Sequence, residues 1–206
     1  MKLLDHPISQ TCWRTRIAAS IKGIELDLVP VDLLGGETTG QSYSALNPQK
    51  LVPALISGAE VIGQSLAIID YFEQIKPDPS LYPDNPKLRA RMLSLVNLLA
   101  SDVAPLAVIR VVKQLEEQFG ADAEAQQAFR SHWYMQGFAS AEKLLAEQNS
   151  RYAFTDEVSL ADVTLIPAVF AGRRFGADTS GFPRIEELYA KCMTLPAFLG
   201  TAPEGA

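Results

Sequence analysis

Two hydroxyl groups and a thiol lie within four residues near the start of the chain, in the segment Ser9-Gln10-Thr11-Cys12. This segment follows a short apolar run and precedes a helical pattern, so it is expected at the junction of a first strand and a first helix. The free backbone N–H groups and the dipole of a helix N-terminus favour an anion. Hydroxyl donors placed there could stabilise a thiolate, although the same residue types are also common as plain helix caps.

A strand-helix-strand unit is predicted to position this turn. Residues 2–4 are predicted to form a short strand that His6-Pro7 ends, because the residue before a proline avoids the helical region. Residues 11–22 carry apolar side chains at helical spacing, and Gly23 suits a left-handed C-terminal cap. Residues 25–31 alternate polar and apolar side chains, as a half-buried strand does.

The next segments complete an α/β module. After a polar loop rich in Gly and Thr, residues 51–56 and 60–62 are β-rich on either side of Gly58, which predicts a tight hairpin. Residues 64–75 return to helical spacing. The sequence therefore predicts a compact α/β domain at residues 1–76.

The second half of the chain predicts an all-α helical bundle. Residues 77–86 are rich in proline and are expected to form a linker. Residues 87–206 show no convincing strand but several helical patterns. These patterns span residues 88–119, 121–148, 159–175 and 183–193. Pro105 and Pro167 are expected to bend their helices, and Ser159 with Asp162 has the spacing of a capping box.

Composition narrows the possible partners of the protein. The chain has 206 residues and a formal net charge of −6, which disfavours nucleic acid and anionic membranes. Charges and prolines interrupt the apolar stretches before the length of a membrane span, so no membrane partner and a cytoplasmic location are expected. The two cysteines have no metal-ligand spacing, so they are expected to be free thiols with no metal.

Three sequence motifs resemble the zeta class of the cytosolic glutathione transferases, which includes maleylacetoacetate and maleylpyruvate isomerases. The motifs are SQTCWRTRIA at residues 9–18, ALNPQKLVPAL at residues 45–55 and QSLAII at residues 64–69. The resemblance covers nearly the whole chain. It implies a thioredoxin-like glutathione-binding domain, a helical domain that forms a second-substrate pocket, glutathione as co-substrate, and a homodimer.

The resemblance also implies roles for individual residues. Ser9 and Thr11 are expected to hydrogen-bond to the glutathione sulfur, and Cys12 is a third catalytic candidate unless it faces the core. Val52-Pro53 is expected to be a cis bond that pairs with the peptide, with a trans proline at a strand start as the plain alternative. Gln64-Ser65 would hold the γ-glutamyl carboxylate at a helix start, or would be an ordinary cap. The other implied glutathione contacts are Gln10, Thr38 and Lys50.

Departures from the zeta pattern affect the predicted reaction. Ile8, Gln10 and Thr11 stand where the pattern has an arginine, the second serine of a pair and a cysteine. The missing arginine weakens recognition of a dicarboxylate. The residues expected to line the second-substrate pocket are mostly aliphatic: Ile8, Ala104, Ala107, Val108, Arg110 and Arg174. We therefore expect the activated glutathione thiol to attack a small and fairly apolar electrophile, either in conjugation or in the reduction of a peroxide. Arg174 keeps glutathione-dependent cis-trans isomerisation open, and a non-catalytic glutathione-binding scaffold is the third alternative.

Overall fold

The computed structural model describes residues 1–206 and divides them into two compact units. One unit is Met1–Ser80 with Leu195–Ala206, and the other is Leu81–Thr194. The division falls within the proline-rich segment predicted as a linker. The C-terminal residues, which the sequence assigned to the helical domain, instead pack in the first unit.

Thr201 explains this difference at the C-terminus. Its hydroxyl accepts a hydrogen bond from Nε1 of Trp13 at 3.2 Å, and its carbonyl accepts one from Nε of Arg16 at 3.2 Å. Both donors lie on the first helix of the first unit, far from Thr201 in sequence. No local pattern in the sequence reports such a long-range pairing.

The first unit contains a four-stranded mixed sheet in the order β2-β1-β3-β4. β1 pairs in parallel with β2 and antiparallel with β3, and β3 pairs antiparallel with β4. The strands are β1 (Lys2–Asp5), β2 (Asp27–Pro30), β3 (Ala54–Ser57) and β4 (Glu60–Gly63). Helix α1 (Gln10–Ile21) connects the parallel pair, as such a pair requires. The predicted strand-helix-strand unit, the hairpin and the thioredoxin-like fold class are confirmed.

The polar loop predicted after β2 contains two short helices instead. A 3₁₀ helix covers Glu37–Thr39, and α2 covers Gln41–Leu46. The only buried side chain of α2 is that of Tyr43. A helix with one buried position has no apolar period to read, so its polar composition indicated a loop.

The second unit is all helical, as predicted, but its first predicted helix is divided. Helix α4 continues through a π-helical segment, Leu98–Val103, and a 3₁₀ segment, Ala104–Ala107. Pro105 lies in this 3₁₀ segment and has no N–H to donate to the α-helical pattern, and the chain becomes extended at Val108. The helices not yet described are α3 (Ser65–Ile75), α4 (Pro86–Asn97), α5 (Ile109–Phe119), α6 (Ala123–Ala146), α7 (Leu160–Arg174), α8 (Pro183–Cys192) and α9 (Pro196–Leu199).

The joined stretch Pro86–Ala107 differs from expectation in one more respect. Its length and apolar composition alone would be enough for a helix to cross a membrane. The core helices of soluble proteins also meet this criterion.

The predicted capping box at the start of α7 is confirmed. The Asp162 carboxylate accepts hydrogen bonds from the backbone N–H and the hydroxyl of Ser159, each at 2.9 Å. It accepts a third, also at 2.9 Å, from the backbone N–H of Ala153. Asp162 is fully buried, and so are most side chains of α7. The box therefore fixes both the helix start and the loop before it.

Candidate active site

Three segments of the first unit converge at one edge of its sheet. Leu4 of β1 lies opposite Ala54 of β3, so Pro53 lies beside the end of β1 that leads into α1. Ala54 also lies opposite Gly63 of β4, so Gln64 follows at the same edge. The pairing register therefore brings the helix start of α1, the Val52-Pro53 turn and the helix start of α3 together.

Ser9 and Thr11 form a short chain of oxygens that reaches the Val52-Pro53 turn. Ser9 is the N-cap of α1, and its Oγ accepts a hydrogen bond from the Cys12 backbone N–H at 3.4 Å. Ser9 Oγ lies 2.8 Å from Thr11 Oγ1. Thr11 Oγ1 in turn donates to the Val52 carbonyl at 3.0 Å. Ser9 is thus both a helix cap and a hydroxyl at the predicted site.

A buried ion pair holds the turn between β1 and α1. Nη1 of Arg16 lies 2.6 and 2.8 Å from the two carboxylate oxygens of Asp5. Nη2 of Arg16 donates to the carbonyl of Pro7 at 2.9 Å. Asp5 and Arg16 are 11 residues apart in the sequence, and no sequence motif predicts that they pair. We call this pair the clamp. It positions the backbone that presents Ser9.

The Val52-Pro53 peptide bond is cis, as the resemblance implied. Two side chains that the sequence did not single out hold the preceding carbonyl, that of Leu51. The Tyr43 hydroxyl donates to it at 2.6 Å, and Nδ2 of Asn47 donates to it at 2.8 Å. Burial raises the pKa of Tyr43 to about 12, so its hydroxyl keeps the proton that it donates. These two contacts fix the turn that carries Val52.

The predicted pair Gln64-Ser65 stands at the start of α3, as expected. Gln64 has a positive φ of 69°, and its Nε2 donates to Oε1 of Gln49 at 2.6 Å. The sequence had not identified Gln49 as a partner. Lys50 is exposed with a φ of 56°, and Gln10 is the half-buried first residue of α1. Thr38 is buried in the 3₁₀ helix rather than lying in the predicted loop.

Cys12 faces the core, so the prediction that it takes part in catalysis is not supported by its position. Its side chain has no exposed surface, and its Sγ accepts a hydrogen bond from the His6 backbone N–H at 3.4 Å. Burial, with the nearby charge of Asp5, raises the pKa of the Cys12 thiol to about 12. A thiol with this pKa is almost entirely protonated at neutral pH and is a poor nucleophile. Residue 12 projects inward because α1 is buried along most of its length.

Replacing Cys12 by alanine is therefore expected to leave glutathione-dependent turnover within about twofold of wild type, since the thiolate is absent near neutral pH. The native protein should also react slowly with Ellman's reagent at pH 8, because Cys12 and Cys192 are both buried. Full labelling is expected only in guanidinium chloride. Rapid labelling of Cys12 in the native protein, or a large loss of turnover in the variant, would restore it as a catalytic candidate.

The residues predicted for the second-substrate pocket differ in exposure. Ala104 and Ala107 retain only 4% and 6% of their surface, so they can contribute little to a pocket wall. Val108 is half-buried, and Arg110 and Arg174 are exposed. Ile8 lies in the first unit and is half-buried. Of the aliphatic residues expected from residues 104–108 to line the pocket, only Val108 therefore retains appreciable exposed surface.

The two arginines predicted for this pocket have no acidic partner. Neither Arg110 nor Arg174 forms an ion pair, and the guanidinium of Arg174 lies 5.7 Å from the ring centre of Phe170. The neighbouring Arg173 is engaged, because it pairs with Glu186 at 2.5 Å and donates to Thr179 at 2.9 Å. Arg110 and Arg174 therefore keep their hydrogen-bond donors available to an anion.

The folds of the two units and the site geometry define the glutathione transferase class. A family model for the glutathione S-transferase N-terminal domain matches residues 3–80, and one for the C-terminal domain matches residues 108–196. The chain belongs to the glutathione S-transferase family.

Several relatives match over almost their full length. A maleylpyruvate isomerase from a Ralstonia species is 39% identical, covering 98% of this chain and 97% of the relative. A maleylacetoacetate isomerase from Rattus norvegicus is 39% identical, covering 95% of this chain and 88% of the relative.

Solved structures give the same assignment. The holo structure of a bacterial zeta-class maleylpyruvate isomerase superposes with a TM-score of 0.96 at 38% identity, covering 100% of this chain and 98% of the other. A maleylacetoacetate isomerase from Methylobacterium extorquens AM1, with bound malonate and glutathione, has a TM-score of 0.95 at 33% identity, covering 98% of this chain and 96% of the other. The zeta-class resemblance is confirmed.

Proposed function

We propose that the first unit binds glutathione at the sheet edge where the three segments converge, and that it activates the glutathione thiol. The observation that carries this proposal is the Ser9 hydroxyl, held at the N-terminus of α1 and linked through Thr11 to the cis Val52-Pro53 turn. A hydroxyl and a helix dipole both favour the thiolate over the thiol. The structure of the Methylobacterium relative with bound glutathione supports this choice of ligand.

The remaining contacts follow from the chemistry of the peptide. We propose that the backbone of Val52, just before β3, pairs with the extended peptide. The γ-glutamyl carboxylate would bind at Gln64-Ser65, where the first N–H groups of α3 have no helical partner. We keep Gln10 and Lys50 as proposed additional donors to the peptide. Thr38, being buried, is the weakest member of the predicted set.

The overall reaction that we infer is glutathione-dependent cis-trans isomerisation of a maleyl-type dicarboxylate. The glutathione thiolate adds to one carbon of the double bond, and the electron pair moves into the conjugated carbonyl. Rotation about the resulting single bond and expulsion of the thiolate then give the trans product. The maleylpyruvate and maleylacetoacetate isomerases among the relatives support this reaction, as do the unpaired Arg110 and Arg174, which could bind carboxylates.

Conjugation of an apolar electrophile is the second candidate. It shares the first step, addition of the thiolate to an electrophilic carbon, but ends with loss of a leaving group from the electrophile. Ile8 favours it, because the zeta pattern has an arginine at this position and an aliphatic side chain cannot bind a carboxylate. Both candidates require glutathione binding, which calorimetry on the purified protein tests directly. Absence of a binding isotherm at millimolar glutathione would overturn the proposal.

Replacing Arg174 by alanine separates the two reactions. If the isomerase proposal is correct, kcat/KM for maleylpyruvate or maleylacetoacetate should fall about 10- to 100-fold, the range expected for a lost charge-assisted hydrogen bond. Conjugation of an uncharged aromatic halide should change little. The rates are measured by absorbance with glutathione at saturation, and Arg110→Ala is tested in the same way.

Arg91→Ala is the matched control for these arginine variants. Arg91 is exposed in the same unit and pairs with Glu147 at 2.6 Å, and such a surface pair contributes little to stability. This variant should leave both reactions unchanged. No turnover of either maleyl substrate by the wild-type protein would exclude isomerisation and leave conjugation as the proposal.

Two further predictions concern the state of the protein in the cell. We propose that the chain forms a homodimer, which is the usual state for the family and fits the preference of soluble proteins for two-fold symmetry. Sedimentation equilibrium should give twice the chain mass of 22.5 kDa.

A cytoplasmic location is also proposed, because glutathione is abundant in that compartment and both cysteines are free.

A further inference from the structure

Thr11 lies between two other oxygens of the candidate site. Its Oγ1 is 2.8 Å from Ser9 Oγ on one side and 3.0 Å from the Val52 carbonyl oxygen on the other. The sequence offered Ser9 and Thr11 as equivalent donors to the glutathione sulfur. Their hydrogen-bond partners show that the two hydroxyls are not equivalent.

Counting protons fixes the direction of each bond in this chain of oxygens. A hydroxyl has one proton to donate, whereas a carbonyl oxygen can only accept. The bond between Thr11 and Val52 therefore uses the single proton of Thr11. The bond between Ser9 and Thr11 must then use the proton of Ser9, with Thr11 Oγ1 as the acceptor.

Only Ser9 can change its donor bond without disturbing the peptide-binding turn. Rotation of its hydroxyl toward a thiolate breaks one neutral bond to Thr11 and forms a charge-assisted bond, which is about twice as strong. Ser9 Oγ still accepts the Cys12 backbone N–H during this change. If Thr11 donated to the sulfur instead, the Val52 carbonyl would lose its bond from Thr11.

We propose that Thr11 is a positioning residue, which joins the Ser9 hydroxyl to the Val52 carbonyl, and that Ser9 alone donates to the glutathione sulfur. This inference rests on the proposed glutathione site. Through its two hydrogen bonds, Thr11 holds the part of that site that binds the thiol in a fixed position relative to the part that binds the peptide backbone. It also competes mildly with the thiolate for the proton of Ser9, because it accepts that proton when no ligand is bound.

Thr11→Val and Thr11→Ser test the proposal, because valine keeps the shape of threonine without the hydroxyl and serine keeps the hydroxyl. The pKa of the bound glutathione thiol is measured from the ultraviolet absorbance of the thiolate against pH. In Thr11→Val this pKa should be unchanged or slightly lower, since the competing acceptor is gone. The KM for glutathione should rise about fivefold, the effect of one lost neutral hydrogen bond. Thr11→Ser should restore the wild-type KM.

Two results would overturn this assignment. If Thr11→Val raises the pKa of the bound thiol by about one unit or more, which corresponds to losing a donor to the sulfur, Thr11 is itself the activating hydroxyl. If both the pKa and the KM keep their wild-type values, Thr11 has no positioning role. Thr11→Ala gives an independent measurement should the valine variant fold poorly. Failure of the wild-type protein to bind glutathione would be a different result, which overturns the proposed site together with this inference.

Discussion

Replacing Ser9 by alanine is expected to raise the pKa of the bound glutathione thiol by about one to two units, the equivalent of losing a hydrogen bond to a charged group. Only the thiolate form of the bound glutathione reacts, and a free thiol of this type is mostly protonated at neutral pH. A rise in the pKa of the bound thiol therefore lowers the fraction that is thiolate. We expect kcat/KM at pH 7 to fall about 10- to 100-fold as a result. The measurements are thiolate absorbance against pH and the pH profile of turnover.

Ser140→Ala is a suitable control for this change. The Ser140 hydroxyl is exposed and donates to the carbonyl of Gln136 within its own helix, at 3.1 Å. Its loss should affect neither the thiol pKa nor turnover. Because Ser9 also caps α1, Ser9→Ala should cost about 1 kcal/mol of stability, and circular dichroism must show that it folds.

The same variant distinguishes an enzyme from a passive scaffold. A glutathione-dependent rate that is lost in Ser9→Ala and in the double variant Ser9→Ala/Thr11→Ala requires chemistry at this turn. If both variants retain the full rate and the same thiol pKa, the thiol-activating site lies elsewhere. If wild type binds glutathione but accelerates no reaction with a panel of electrophiles, the scaffold alternative would be correct.

The largest effect on stability is expected for Asp162→Ala. The carboxylate accepts three hydrogen bonds at a fully buried position, and alanine would leave the N–H groups of Ala153 and Ser159 without acceptors. Each unsatisfied buried group costs about 1–3 kcal/mol, so a total loss of roughly 3–5 kcal/mol is expected. This is a large share of the stability of an ordinary domain, about 5–15 kcal/mol. Urea unfolding followed by circular dichroism measures the change.

Asp162→Asn should be milder than Asp162→Ala. Burial raises the pKa of Asp162, which means that the ionised carboxylate is costly at this position. An uncharged amide avoids this cost and keeps one acceptor oxygen for the capping bonds. Asp156→Ala is the exposed control, since its carboxylate accepts a single bond from the Arg151 backbone N–H. Equal stability of Asp162→Ala and wild type would show that the capping box contributes little.

Features that depend on neighbouring residues could be predicted from the sequence. The strand-helix-strand order, the hairpin at Gly58, the capping box at Ser159 and the all-α second half were all correct, because residue spacing within one element decides them. The same local information placed Ser9 and Thr11 at the start of α1 and Gln64-Ser65 at the start of α3. Local sequence information did not predict α2, because the helix has a single buried side chain and so shows no helical spacing of apolar residues.

Contacts between residues far apart in the chain could not be predicted from the sequence and required the folded structure. These include the clamp between Asp5 and Arg16, and the bond from Thr11 to Val52, 41 residues away. They also include the return of Thr201 to α1. The Ser9-Thr11 turn was therefore predictable as a group of donors, but the division of roles within it was not. In the proposed site, the hydroxyl that can donate to sulfur depends on where the single proton of Thr11 goes, and Thr11 donates that proton to the Val52 carbonyl.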